Sequence, residues 1–146
     1  MLARQIAPNY LSCTSKSKGL ASNSLLFAYV LKLFNRQIWD KLSKLEINLE
    51  AFFGTHSVSL FAELIDGQTY FRVLDAVVTE AKIIRSEYNL TLIGLFMSLL
   101  DRVNLLESPF ESAESFLFAV KLLAKNLNDP YEFLLAGDIY IERIRR

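Results

Sequence analysis

Apolar side chains recur at helical intervals along nearly the whole chain, and this spacing most limits the folds open to it. Near the start, Leu26, Val30 and Leu33 follow one another every three or four residues, and later Leu90 and Ile93 do the same. Such spacing puts apolar side chains on one face of an α-helix. The chain has only 5 Gly and 3 Pro in 146 residues, few for the many turns of a sandwich or barrel. The sequence therefore predicts an all-α fold, an irregular array of about six helices.

Capping residues divide this pattern into helices. We expect a first helix from Ser22 or Asn23 with a break near Asn35, and a second helix from Asn48, because short polar side chains accept hydrogen bonds from a first helical turn. The Asp66-Gly67 pair predicts a turn, with the glycine free to take a positive φ.

Two later segments combine a capping side chain with a proline that suits a first helical position. They begin at Ser108-Pro109 and at Asp129-Pro130. The predicted inward positions of the later helices are Phe52, Phe53, Leu60, Phe61 and Leu64; Phe71, Leu74, Val77 and Val78; Leu90, Ile93, Met97 and Leu100; Phe116, Val120, Leu123 and Leu127; and Leu135, Ile139 and Ile144.

The charge distribution separates an N-terminal arm from the rest of the chain. Formal net charge is zero, yet residues 1–39 hold basic side chains and no acidic one. We divide the chain into a basic, acid-free arm at 1–21 and a single helical domain at 22–146. A basic, Ser-rich start of this kind resembles a mitochondrial targeting segment. A flexible arm on a cytoplasmic protein is the simpler interpretation, and the mitochondrial one stays open.

Composition excludes several classes of function. A single cysteine, Cys13, and a single histidine, His56, leave no disulfide framework and too few soft ligands for a transition metal. We therefore expect no metal and no cofactor. Zero net charge argues against nucleic-acid binding. The longest apolar runs, Leu25–Phe34 and Leu90–Leu100, fall short of the ~20 residues of a membrane span, and buried core helices explain them better. We interpret His56 as a packed or surface residue. We expect a solvated helix end at Arg143, Arg145 and Arg146.

Residues 42–80 carry a motif pattern with a fixed order. The segment L-x-x-L-x-I-x-x-x-x-F is followed by Leu-Phe, by Arg-x-x-Asp and by a glutamate; the matching residues are Leu42, Leu45, Ile47, Phe52, Leu60, Phe61, Arg72, Asp75 and Glu80. This pattern resembles the C-terminal half of a TBC domain, the helical module of Rab GTPase-activating proteins. The chain departs from that family at His56 and Leu74, where the family has Trp, and at Ala81, where it has Gly.

The resemblance implies an all-α scaffold and a Rab as the associated GTPase. In the family an Arg finger in I-x-x-D-x-x-R and a Gln finger in Y-x-Q accelerate GTP hydrolysis by stabilising charge and orienting water. Both motifs lie upstream of the matched half, and residues 1–41 contain neither of them. The resemblance therefore implies a half-domain without catalytic residues, and we interpret Arg72 and Asp75 as a structural i,i+3 pair.

These observations predict a non-catalytic structural or interaction subunit held in a larger protein complex. Its partners would be other protein subunits, with a small GTPase as a further partner implied by the family. The alternative is a fragment of an active Rab GTPase-activating protein whose Arg and Gln fingers lie outside this chain. A third interpretation keeps an all-α adaptor without the family link.

Overall fold

Seven α-helices make up the fold, and no strand occurs among the residues that the computed structural model describes, 19–83, 89–104, 110–127 and 129–146. The all-α prediction is therefore confirmed. The helices are α1 (Leu20–Phe34), α2 (Arg36–Lys44), α3 (Leu49–Val58), α4 (Gly67–Ile83), α5 (Leu90–Asn104), α6 (Ala113–Lys125) and α7 (Pro130–Arg145).

Helix α5 is the centre of the array. Every residue from Leu90 to Leu100 is buried, and the helix packs against α1, α2, α4, α6 and α7. A helix that is apolar on all sides needs such surroundings, since any open side would expose apolar surface to water. This apolar run thus belongs to a core helix, as predicted. Among the described residues, no helix has the length and apolarity of a membrane span.

Phe96 of α5 organises an aromatic core. Its ring centroid lies 5.5 Å from that of Phe27 on α1, 4.8 Å from that of Phe53 on α3 and 4.4 Å from that of Phe61. Phe27 and Phe53 also stack on each other at 4.7 Å. Offset and tilted ring pairs stabilise the folded state by more than the burial of their surface alone. This cluster joins α1, α3 and α5 into one core.

Asn35 separates α1 from α2 and ties both to the rest of the fold. Its backbone N–H donates to the carbonyl oxygen of Leu31, and its Oδ1 accepts from the N–H of Ile38 at 3.2 Å. Its Nδ2 donates to Asp101 on α5, which also accepts from the Tyr140 hydroxyl on α7. Burial raises the pKa of the Asp101 carboxyl, although the bond from Asn35 opposes this. The predicted break near Asn35 is confirmed and accounts for the seventh helix.

A close crossing of α5 over α7 depends on two glycines. A Cβ atom placed on Gly94 would lie 2.5 Å from the carbonyl oxygen of Gly137. Any larger residue at position 94 would have to push the two backbones apart. The crossing brings Tyr140 and Ile141 of α7 into the buried core.

The structure confirms two predicted helix starts. Asn48 caps α3 by accepting from the N–H of Ala51 at 3.0 Å. Asp129 caps α7, with Pro130 at the first position, by accepting from the N–H groups of Tyr131 and Glu132.

Other predicted boundaries were wrong. Helix α6 starts after Ser112, which forms a capping box with Ser115, and Ser108 and Pro109 lie outside the described residues. Helix α1 starts at Leu20, so Asn23 lies inside it. For α6 a nearby serine took the capping role, whereas α1 begins after Gly19 without a side-chain cap.

The expected turn at Asp66-Gly67 is a helix start. Asp66 accepts from the N–H groups of Gln68 and Thr69, and Gly67 opens α4 without a positive φ. The left-handed turn lies earlier, at Leu60 and Phe61, with φ of 51° and 67°. It ends α3 sooner than predicted and directs Phe61 into the core. This conformation disfavours residues with a Cβ, so the packing of Phe61 must hold it in place.

Candidate functional site

Six of the residues that carry the family resemblance are packing residues. Their side chains are buried or half-buried: Leu42, Leu45, Ile47, Phe52, Leu60 and Phe61. The ring centroids of Phe52 and Phe61 lie 5.7 and 4.4 Å from that of Phe96. These residues support the core around α5 and offer no reactive group to a ligand.

The other three matched residues line a cleft between α4 and α7. Arg72 and Asp75 are exposed on α4, and Glu80 lies deeper near its end. Tyr131, Leu134, Asp138, Ile141 and Arg145 of α7, with Thr91 of α5, complete most of the wall of a cavity of about 440 Å³. The fold therefore brings Arg72, Asp75 and Glu80 to one cleft.

The charges in this cleft are not paired as the sequence predicted. The Arg72 guanidinium lies 5.0 Å from the centroid of the Tyr131 ring, and it forms no ion pair with Asp75 in the described part of the chain. Burial raises the pKa of the Asp138 carboxyl, while nearby Arg145 acts in the opposite direction. Within the described ranges, the cleft holds three carboxyl groups and two guanidinium groups, and one of the carboxyl groups, that of Glu80, accepts from backbone N–H groups.

Glu80 has a structural role at the start of α5. Its side chain is buried, and its two carboxylate oxygens accept from the backbone N–H groups of Leu90 at 3.0 Å and Thr91 at 2.8 Å. The first N–H groups of a helix have no partner within the helix, and its dipole favours a negative charge there. Glu80 thus stabilises the buried start of the central helix.

Two asparagines complete this cap. Asn89 accepts from the N–H of Leu92 at 3.1 Å, and its own N–H donates to Oδ1 of buried Asn23 at 2.7 Å. The Nδ2 of Asn23 donates to the carbonyl oxygen of Gly19 at 3.1 Å. The start of α5 is therefore held by side chains from both α1 and α4.

His56 is a packed core residue. It is buried on α3, with its ring 5.0 Å from that of Phe52 and 6.4 Å from that of Phe96. Its Nδ1 has no hydrogen-bond partner among the described residues. Burial lowers the pKa of the His56 imidazole, Glu63 opposes this, and Lys121 adds to it. The packed interpretation of His56 is confirmed.

This setting predicts a pH-dependent stability. Unfolded His56 takes up a proton near pH 6.5, whereas the folded side chain resists it, so the unfolded state binds more protons as pH falls through 6.5. We expect the free energy of unfolding to be unaffected by this group above that pH and to decrease below it. Urea titrations between pH 5 and 8 measure this decrease.

His56→Leu is the matched control for the pH series. Because His56 is the only histidine, the difference between wild type and variant isolates its contribution from those of the carboxyl groups. The variant should show a smaller decrease toward pH 5. Equal pH dependence in both proteins would contradict the burial of a neutral imidazole.

All three C-terminal arginines are exposed, and two of them also contact other parts of the fold. The Arg143 guanidinium lies 4.6 Å from the centroid of the Phe34 ring and 5.5 Å from that of Tyr140. Arg145 lines the cleft between α4 and α7, and Arg146 is exposed. The exposure of all three side chains agrees with the predicted solvated helix end, and the Arg143 guanidinium also lies over two rings. Cys13 lies outside the described residues.

Three helices present rows of exposed apolar side chains, which we call the α1, α6 and α7 stripes. Members of each row are four residues apart, so they lie on one helix face. Their exposed fractions run from 52% to 69%: Leu25, Tyr29 and Leu33 on α1; Phe118 and Leu122 on α6; Tyr131, Leu135 and Ile139 on α7. Rows of this kind differ from the single exposed apolar residues common on soluble proteins.

The α7 stripe corrects a sequence prediction. Leu135 and Ile139 were expected in the core, but α7 buries Phe133, Gly137 and Tyr140 instead. Phe71 of α4 is also exposed, while Val73 and Val77 are buried. These helices carry apolar residues on two faces, and spacing alone does not rank one face above the other. Two apolar faces on one helix are the sequence signal that could have indicated an exposed apolar row.

Among the described residues, no group of three or more His, Cys, Asp or Glu side chains could hold a metal ion. Comparison with known proteins adds no identity: no family model, no curated protein and no solved structure matches the chain.

Proposed function

We propose that this protein is a non-catalytic structural or interaction subunit whose apolar stripes are covered by other protein chains. The exposed rows on α1, α6 and α7 carry this proposal. Removing a large apolar side chain from water stabilises an assembly by about 1.5–3 kcal/mol. Eight such side chains in ordered rows provide a substantial driving force for association, from which the ordering costs of binding are subtracted.

The roles of the matched residues support a scaffold. Of the residues that resemble the TBC pattern, most pack in the core, and Glu80 caps the central helix. A half-domain derived from that family would expose the surface that its missing half covers, which is consistent with stripes on several helices. We therefore retain descent from a TBC C-terminal half as part of the proposal.

Charged substitutions in the stripes test the proposal. We expect Leu135→Lys with Ile139→Lys, and Phe118→Lys with Leu122→Lys, to leave the melting temperature almost unchanged because these positions are exposed. At least one pair should reduce the amount of assembly that co-purifies with the chain about tenfold or more, since a buried lysine has no partner there. Co-purification of the tagged full chain from its native cells, with thermal melting of each variant, measures both effects.

Val58→Lys is the matched control. Val58 is 52% exposed on α3 and belongs to none of the three stripes. The Val58→Lys protein should co-purify with the assembly as the wild type does. Retention of both stripe variants, or equal release by the control, would contradict a role for the stripes. Acceleration of GTP hydrolysis on a purified Rab by the chain alone would instead revive the GTPase-activating alternative.

A further inference from the structure

The α1 stripe differs from the others in the charge that surrounds it. Lys32 directly precedes Leu33, Arg36 follows it by three residues, and residues 20–39 contain no acidic side chain. The α6 and α7 stripes, by contrast, have both signs nearby, such as Glu114 with Lys121 and Asp138 with Arg145. Only the α1 stripe therefore indicates the charge expected of its binding partner.

Three cations from separate helices gather at the C-terminal end of α1. The Lys32 ammonium lies 5.6 Å from the Trp39 ring centroid, and Arg143 of α7 lies 4.6 Å from that of Phe34. Arg36 is the first residue of α2. The nearby carboxyl groups already have partners. Asp40 pairs with Arg36 at 3.0 Å, and Asp101 accepts hydrogen bonds from Asn35 and Tyr140.

Helix-dipole effects explain only part of this cluster. A cation in the last turn of a helix is favourable, which accounts for Lys32. Arg36, however, lies in the first turn of α2, where a positive charge is unfavourable, and Arg143 comes from another helix. Arg36 has its own partner in Asp40, and Arg143 packs over Phe34 and Tyr140, so local contacts account for both positions. The cluster still leaves an excess of positive charge beside the exposed apolar row.

We propose that the α1 stripe docks an amphipathic helix of a partner protein that carries acidic side chains beside its apolar seam. Leu25, Tyr29 and Leu33 extend over nine residues, about 12 Å of helix, which matches two turns of a packed partner helix. The partner's carboxylates would lie against Lys32, Arg36 and Arg143. This inference rests on the proposed interaction function and specifies the chemistry of one partner.

The shape of the stripe favours a helix over a lipid surface. The exposed apolar surface of α1 is one residue wide, and the opposite side of the helix buries Phe27, Val30 and Leu31. A narrow row is a helix-packing seam, whereas helices that lie in a membrane interface expose a broad apolar face. Anionic vesicles nevertheless present the same charge and belong in the test.

Two synthetic helical peptides with the same leucine seam, one flanked by Glu and the other by Lys, are the probes. Fluorescence anisotropy with the full chain should show about tenfold tighter binding of the Glu peptide, and higher salt should reduce the difference. Tyr29→Glu should abolish this binding, and Lys32→Glu with Arg36→Glu should remove the preference for the Glu peptide. Leu135→Glu on α7 is the control and should bind like wild type.

Several results would overturn the inference. They are equal binding of the two peptides, binding of neither, loss of binding in the Leu135→Glu control, and sedimentation with phosphatidylserine vesicles in preference to the peptide. If Tyr29→Glu keeps its place in the native assembly while stripe variants of α6 or α7 lose theirs, this inference fails and the proposed function stands. If no variant changes any association, both fail.

Discussion

Replacing Gly94 with alanine is expected to cause one of the largest losses of stability in this protein. The added Cβ would lie 2.5 Å from the Gly137 carbonyl oxygen and 3.1 Å from Cγ1 of Ile141. A backbone oxygen cannot rotate away, so α5 and α7 must separate and lose packing along the crossing. Overpacking typically costs about 1–3 kcal/mol and can cost more. Because the clash is with a backbone atom, we expect the upper end of that range, about 3 kcal/mol. Alanine recovers about 1 kcal/mol of helix propensity, which leaves a net loss of about 2 kcal/mol.

Urea unfolding of the Gly94→Ala protein measures this loss, and two other glycines provide the comparison. A Cβ on Gly137 would come within 3.0 Å of the flexible Cδ2 of Leu95, so Gly137→Ala should be less damaging. Gly67 has nothing within 4 Å and no positive φ, so Gly67→Ala should stabilise the protein by about 0.5 kcal/mol. Equal effects at positions 94 and 67 would show that the two helices do not cross closely.

Removal of the Glu80 carboxylate is the second substitution with a large expected effect. Glu80→Ala leaves the buried N–H groups of Leu90 and Thr91 without their acceptors. A buried unsatisfied group costs about 1–3 kcal/mol, and a lost bond to a charged group lies in the same range. We expect the free energy of unfolding to decrease by about 3 kcal/mol, as measured by urea titration at neutral pH.

Glu80→Gln distinguishes the hydrogen bonds from simple packing. Glutamine fills nearly the same volume but has one acceptor oxygen, so it can satisfy only one of the two N–H groups. Its stability should fall between those of wild type and Glu80→Ala. As a further control, Asp75→Ala on the exposed face of α4 should change stability by less than about 0.5 kcal/mol. A Glu80→Ala protein as stable as wild type would contradict the capping role.

Much of the fold could be predicted from local sequence signals. The helical spacing gave the fold class, and Asn35, Asn48 and Asp129 marked real boundaries because each side chain accepts a bond from the next turn. The continuous apolar run of α5 correctly indicated a buried helix. These features depend on neighbours within a few residues, which is the range that sequence patterns report.

Features that depend on distant contacts could not be predicted. The buried face of α7 follows from the contact of Gly137 with Gly94, which lies on another helix. The left-handed turn at Leu60 and Phe61 contains no glycine to indicate it, and the packing of Phe61 against Phe96 holds it. Spacing alone therefore assigned Leu135 to the core, whereas the structure exposes it.

The candidate surfaces were only partly visible in the sequence. The sequence singled out Arg72, Asp75 and Glu80 only as matches to the family pattern, whereas the structure places all three on one cleft. Their individual roles required the fold, since Glu80 acts on a helix start ten residues later and Arg72 stacks on Tyr131 of α7. The acid-free start of the chain indicated unusual charge, but only the helix positions connect Lys32 and Arg36 with the α1 stripe.

The native mass of the protein in an extract of its own cells tests the central proposal most directly. Native size exclusion with light scattering distinguishes a chain held in an assembly from a free monomer. An antibody or a tag on the full chain provides the detection. A structural subunit should elute in one assembly of fixed mass well above the 16.7 kDa of the chain, with almost none free. Recovery of the chain as a stable 16.7 kDa monomer, with its apolar stripes exposed and no associated protein, would contradict the proposal.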